Sequence, residues 1–164
     1  MPRIFLTTVL LLVCVLVGCS SDGRPKDLPK LYATTITITM DGQPLEGADV
    51  SLAGTGDVGR WAAMGTTDAS GVAVIKTLGQ YEGAPAGSFA VCVNKRTWGD
   101  GPTAKTPKPT AALAATAWQR KVDEEKFEIF HVDKAYKLPN TTPLKTEIKE
   151  EKNELSFEVK PFKK

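Results

Sequence analysis

Two short runs in which apolar and polar residues alternate do most to limit what this chain can fold into. Ile36, Ile38 and Met40 alternate with Thr35, Thr37 and Thr39, and Ala48, Val50 and Leu52 alternate with Asp49 and Ser51. Successive side chains of an extended strand point to opposite faces, so a period of two gives each run one apolar and one wet face. Between the runs, Asp41-Gly42 tolerates positive φ and can reverse the chain. Pro44 has no N–H to give to a ladder, so Gln43 to Gly47 is expected to be a connecting loop and the two runs the arms of a hairpin.

The same period recurs further on. Gly54 to Arg60, with its three glycines, reads as a loop, and Trp61 to Thr67 as a third strand. Thr67 to Gly71 reads as a turn with Gly71 at the left-handed position of a bulged hairpin. Val72 to Ile75 is apolar on both faces, which predicts a central or covered strand. Gly79 to Ala84 is expected to be a loop. The strongest strand signal is Pro85 to Val93, with Phe89, Val91 and Val93 on one face.

Asn94 to Thr110, rich in glycine and proline, breaks the pattern and is expected to be a mobile surface loop. Ala111 to Lys126 suits a helix, capped by Thr110, with Trp118 and Val122 on one side. Phe127 to Leu138 fits a helix end, a short strand or a loop equally. Leu144, Thr146 and Ile148, then Leu155, Phe157 and Val159, predict a second hairpin across a charged turn at 150–153. About seven short strands with glycine-bearing turns and one inserted helix predict an all-β antiparallel sandwich.

The start of the chain is of another kind. Arg3 precedes an apolar run from Ile4 to Val17, too short for a membrane-spanning helix of about 20 residues but suited to a secretory leader. The run ends in Leu16-Val17-Gly18-Cys19, which resembles the lipobox of bacterial lipoproteins. The resemblance implies a leader of residues 1–18, removed after Gly18, and a diacylglyceryl group on Cys19 as the new N-terminus. Residues 19–33, with two prolines and no periodicity, are expected to form a tether, and residues 34–164 a single domain. The chain would then be exported and held to a bacterial membrane by its lipid, on a periplasmic or cell-surface face. Ser20 follows the cysteine, and the choice of inner or outer membrane stays open.

Composition narrows the partners. Taking residues 1–18 from 164 leaves 146, enough for one core. Of 21 basic side chains only Arg3 is lost, so 20 stand against 19 acids. That balance gives no support to nucleic-acid binding, which usually shows a basic face, and no nucleic-acid partner is expected. Of three cysteines, Cys14 leaves with the leader and Cys19 carries lipid. Cys92 cannot form an internal disulfide and is expected to be a buried hydrophobe.

Three ordered motifs then carry a family resemblance. Gly42-Gln43-Pro44-Leu45-Glu46-Gly47-Ala48-Asp49-Val50, Thr67 to Gly71, and Pro85, Gly87, Phe89, Val91 and Val93 resemble the pattern of carboxypeptidase regulatory-like domains. They cover about Thr34 to Lys95. The resemblance implies a transthyretin-like sandwich and an accessory, non-catalytic role, and it brings no catalytic or ligand residue. The remainder, with the inserted helix and the strand entry at Thr141-Thr142-Pro143-Leu144, resembles a bacterial lipoprotein subset of these domains, and the role of residues 97–140 stays open.

No nucleophile stands beside a base and no glycine loop has the context of a phosphate cradle. His131, with Asp133 or with Asp123, Glu124 and Glu125, is thin for a metal site, which needs three or four ligands. A metal-dependent hydrolase centred there is the weaker alternative, and no metal or cofactor is expected. The aromatic residues are better candidates. Trp61 is expected at a core edge, Trp118 between helix and sandwich, and Trp98 in an exposed loop. Trp98 is the candidate for a carbohydrate- or peptide-binding surface. The function expected is that of a non-catalytic, lipid-anchored binding or structural module, partnered by an envelope protein or polysaccharide.

Overall fold

The computed structural model describes residues 23–163, so the leader, Gly18 and Cys19 lie outside the described residues. In chain order the strands are β1 (Leu31–Tyr32), β2 (Thr34–Met40), β3 (Gln43–Pro44), β4 (Asp49–Gly54), β5 (Ala63–Thr66), β6 (Val72–Val74) and β7 (Lys76–Thr77). There follow β8 (Tyr81–Glu82), β9 (Ala84–Pro85), β10 (Gly87–Asn94), β11 (Arg96–Gly99), β12 (Phe127–Phe130), β13 (Lys145–Ile148) and β14 (Asn153–Val159). Among the described residues there is one α-helix, α1 (Ala112–Glu124), between β11 and β12. No helix among them is long and apolar enough to cross a membrane.

The alternating runs decide the layers. Ile36 and Ile38 of β2 face Val50 and Leu52 of β4, Phe89, Val91 and Val93 of β10, Ile148 and Val159 in one buried cluster. Burying each large aliphatic side chain contributes roughly 1.5–3 kcal/mol, which is what holds two sheets together without a disulfide. One sheet runs β14-β2-β3, with β6 also on β2; the other runs β13-β10-β4-β5-β7-β8. Pairing is antiparallel except between β14 and β2, which run parallel from Asn153 beside Thr34 to Val159 beside Met40. The result is the expected all-β sandwich with one short inserted helix.

The partners of the strands differ from expectation where alternation is silent about them. β2 and β4 are not arms of one hairpin but lie in opposite sheets. Asp41 and Gly42, both at positive φ, turn the chain so that Gln43 and Pro44 pair back onto Met40 and Thr39. Gln43-Pro44 is therefore strand, tolerated because an edge strand needs no N–H from proline. Leu45 then crosses into the core. Thr67, buried, pins that crossing: its hydroxyl donates to the Leu45 carbonyl at 2.5 Å and accepts from the Ala48 N–H at 2.8 Å.

The terminal hairpin divides in the same way, because Ile148 and Val159 each need a different sheet. β13 pairs with β10, β14 with β2. The buried Asn153 side chain holds the link, accepting from the Lys149 N–H and donating to the Lys149 and Glu151 carbonyls.

Val72 to Ile75 is not covered on both faces either. Ala73 and Ile75 are fully buried, while Val74 is 49% exposed. Here the chain changes sheets, β6 lying on β2 and β7 on β5. Gly65 permits the crossing, since a Cβ there would stand 2.5 Å from the Val74 carbonyl oxygen. Gly71 has the left-handed φ expected of it, 77°. Within Gly79 to Ala84, expected to be loop, β8 and the start of β9 make short pairings with β7 and β1.

The stretch expected to be a tether is docked over its second half. Leu28 is buried, Asp27 meets Arg60 at 2.7 Å, and β1 pairs with β9. Residues 27–32 are therefore part of the folded body.

Residues 97–140 are likewise only partly an insertion. Val132 and Tyr136 belong to the core, and the Thr142 hydroxyl donates to the Val91 carbonyl at 2.7 Å. What stands apart is 95–131: β11, a 3-10 turn at Pro102–Lys105, α1 and β12. Thr110 does not cap α1; Ala111 occupies that position without a side-chain bond. Trp118 reaches the insertion rather than the sandwich, its indole N–H donating to Thr106 Oγ1 at 3.0 Å. Phe162 is half-buried and stands beside Phe130, ring centres 6.0 Å apart.

These pairings give the sandwich two unlike ends. Thr34, Gly54, Gly87 and Asn153 lie at the end where residues 24–32 dock. Met40, Asp49, Asn94 and Val159 lie at the other, from which β11 leaves. The eight residues of β10 separate the ends by about 24 Å, at about 3.4 Å per residue.

Candidate functional site

At the far end β11 and β12 form an antiparallel ribbon in the register Arg96 to Phe130, Thr97 to Ile129, Trp98 to Glu128 and Gly99 to Phe127. Directly opposed residues share a face. Trp98, Arg96, Glu128 and Phe130 are on one side; Phe127, Ile129 and Thr97 are on the other. Arg96 and Glu128 meet at 2.6 Å, an exposed pair worth about 0–1 kcal/mol. Gly99 has no side chain because the Phe127 ring fills that space: a Cβ would stand 2.5 Å from it.

The ribbon keeps large apolar groups in water. Trp98 is 61% exposed, Phe127 53% and Ile129 38%. β12 borders a groove of about 550 Å³ whose other wall carries Lys134 and Phe162. The Lys134 ammonium lies 4.5 Å from the Phe130 ring centre and 5.2 Å from that of Phe162, and Lys137 lies 5.3 Å from Phe130. Such stacking keeps cations over the aromatic wall while their charge faces solvent. The surface therefore offers flat rings, an aliphatic side chain and positive charge together.

The insertion is held by polar contacts more than by a core. Val122 is the one residue of α1 that is buried. Glu125 accepts from the Thr103 N–H at 2.8 Å and the Thr103 hydroxyl at 2.9 Å, and those bonds, the backbone one first, hold its carboxyl below the usual glutamate range.

Trp98 is thus exposed as expected, but it sits on a strand rather than in a mobile loop. The sequence reading missed this ribbon, whose only signal was the weak alternation Phe127, Ile129 in a stretch of ambiguous pattern. The residues grouped around His131 are not brought together. His131 Nε2 shares a hydrogen bond of 2.8 Å with Thr97 Oγ1. Asp133 caps the turn at Lys134–Tyr136, Asp123 meets Lys126 at 3.0 Å, and Glu124 lies 3.8 Å from Arg120. Among the described residues no three His, Cys, Asp or Glu side chains are grouped to hold a metal. Cys92 is buried on β10, and burial pushes its thiol pKa up, away from nucleophilic use. Trp61 is half-buried near Asp27 and Arg60, with the Arg60 guanidinium 5.0 Å from its ring centre.

No family model, curated protein or solved structure matches the chain. The reading of function therefore rests on the site.

Proposed function

We propose that the chain is an exported, non-catalytic module of the bacterial cell envelope, anchored through lipid on Cys19 and binding an envelope protein or polysaccharide with the β11/β12 ribbon. The carboxypeptidase regulatory-like resemblance belongs to the same proposal and supports an accessory role. The observation that carries the reading is the placement of the ribbon. Its exposed Trp98, Phe127 and Ile129 stand at the end opposite the docked N-terminal segment, so an anchor at Cys19 would hold them away from its own membrane. With five residues from Cys19 to Gly23, the spacer would reach about 16 Å at about 3.3 Å per residue. The near end would then ride close to the headgroups.

Two measurements test this. Metabolic lipid labelling is expected to mark the wild type and to leave Cys19→Ser as an unlabelled, unprocessed precursor; persistent labelling would remove the anchor. For binding, the full chain in detergent is titrated separately with wall polymers and with solubilised envelope proteins. A saturable change in tryptophan emission with one fraction, and weaker retention of Trp98→Ala on that fraction once immobilised, is expected. No change with either fraction would leave a purely structural role.

A further inference from the structure

We propose that the outer edge of β12 takes up an extended, acidic-apolar polypeptide as an added antiparallel strand; this rests on reading the ribbon as the binding end. The chain itself continues past β12 with an antiparallel pairing of its own. Past β12, the Asp133 N–H donates to the Lys160 carbonyl at 3.0 Å, the Phe162 N–H donates to the His131 carbonyl at 2.9 Å, and Val132 bridges Pro161. His131 and Asp133 have the parity of Ile129 and Phe127, so this pairing takes the β11 side, and among the described residues no strand lies on the outer edge from Phe130 to Phe127.

Which backbone groups are offered follows from the register. The His131 N–H donates to the Lys95 carbonyl on the β11 side at 3.0 Å. Antiparallel partners alternate, so Ile129 and Phe127 also bond toward β11, and Glu128 and Phe130 turn their N–H and C=O groups outward. Among the described residues β12 pairs with β11 alone. Edge strands are commonly blunted by proline, a bulge or an outward charge. Phe127-Glu128-Ile129-Phe130 has no proline, keeps its register with β11, and has its single carboxylate engaged by Arg96.

The occupant's chemistry follows from the groove that flanks this edge. Phe127 and Ile129, on one side of the ribbon, would receive apolar side chains at alternate positions of an incoming strand. On the other side Lys134 and Lys137 stand over the Phe130 ring, and with Glu128 engaged by Arg96 they favour carboxylates at the positions between. A second copy of this chain is a poorer fit, since it would bring the same two lysines to the same edge. A polysaccharide could stack on Trp98 but does not repeat donors and acceptors at strand spacing.

The test uses the full chain in detergent and an array of hexapeptides that alternate apolar residues with Asp or Glu. A matched array carries N-methyl groups on alternate amides. Two variants separate the backbone from the side chain. Glu128→Ala removes the carboxylate and keeps the N–H, whereas Glu128→Pro removes the outward N–H that β11 does not use. Strand addition predicts that the best peptides bind at least tenfold more tightly than their N-methylated forms. It also predicts retention of that affinity within about twofold by Glu128→Ala and a loss of at least tenfold in Glu128→Pro, with circular dichroism unchanged. Equal binding of methylated and unmethylated peptides, equal binding by the two variants, or no peptide above background would overturn it. Saturation by wall polymers with no peptide binding would overturn the polypeptide while leaving the ribbon as the binding end. Self-association abolished by Glu128→Pro would assign the edge to a second copy instead.

Discussion

The sandwich and the insertion at 95–131 are built on opposite principles. In the sandwich Ile36, Ile38, Ile75 and Val91 have no exposed surface, and every strand but the shortest packs a face against the other sheet. In the insertion the helix buries Val122, while Leu113 is 89% and Trp98 61% exposed. An isolated two-stranded ribbon is marginal in water, so this one depends on its root at Val132 and Tyr136 and on polar ties such as Glu125 to Thr103. A region with so few buried apolar contacts should open at lower free energy than the sandwich that carries it. Stability has been placed where the fold is held, and large apolar groups have been left in water where a partner can cover them.

The strongest way to break this contrast is in the core. Ile38→Ala should cost about 2–5 kcal/mol, a large share of the roughly 5–15 kcal/mol expected of a domain, and should shift the urea midpoint of the protein as a single transition. Val122→Ala should cost about 1 kcal/mol, the usual scale of a point substitution, and confine the loss to the insertion. Hydrogen exchange of α1 should rise while amides of β10 keep their protection. If β10 loosened as well, the insertion would be part of the core.

A smaller effect is expected from acid. Because bonds from Thr103 lower the Glu125 pKa in the folded state, their stabilisation is fully present above its ordinary value of 4.5 and fades as pH falls through the lowered one. Exchange at the Thr103 amide should rise below that value in the wild type, and Glu125→Gln should show the faster exchange at neutral pH with little further change. The smallest effect belongs to Trp98→Ala, which should alter unfolding free energy by no more than about 0.5 kcal/mol, since most of the indole is in water. A larger cost would make Trp98 a structural residue.

The contrast also explains what the sequence could say. Strands with one buried face announce themselves by alternation, so β2, β4, β10, β13 and β14 were legible from Ile36, Val50, Phe89, Ile148 and Val159. Their partners were not. Alternation tells which face is wet but not which sheet a strand joins, so two expected hairpins proved to be crossings between sheets. The crossing at Leu45 depends on a hydrogen bond from Thr67, more than twenty positions away, and no local pattern encodes it. The ribbon was hidden for a related reason. With Trp98, Phe127 and Ile129 all exposed, neither β11 nor β12 has a dry face to mark it, and the prolines and glycines beside them read as loop. The docking of residues 24–32 was missed because Leu28 is a single apolar side chain without a period.

The central claim is that the molecule has an anchored end and a presenting end, marked by Trp61 and Trp98. It can be tested by energy transfer from single-tryptophan variants of the lipid-bearing chain, reconstituted in vesicles that carry a dansyl-labelled headgroup. In one variant only Trp61 is kept, in the other only Trp98, with phenylalanine at the remaining tryptophan positions. Trp61, beside the docked Asp27, should transfer strongly, and Trp98, on the ribbon that leaves from the far end of β10, weakly. Equal transfer from the two, or stronger transfer from Trp98, would contradict the division of the molecule into those two ends.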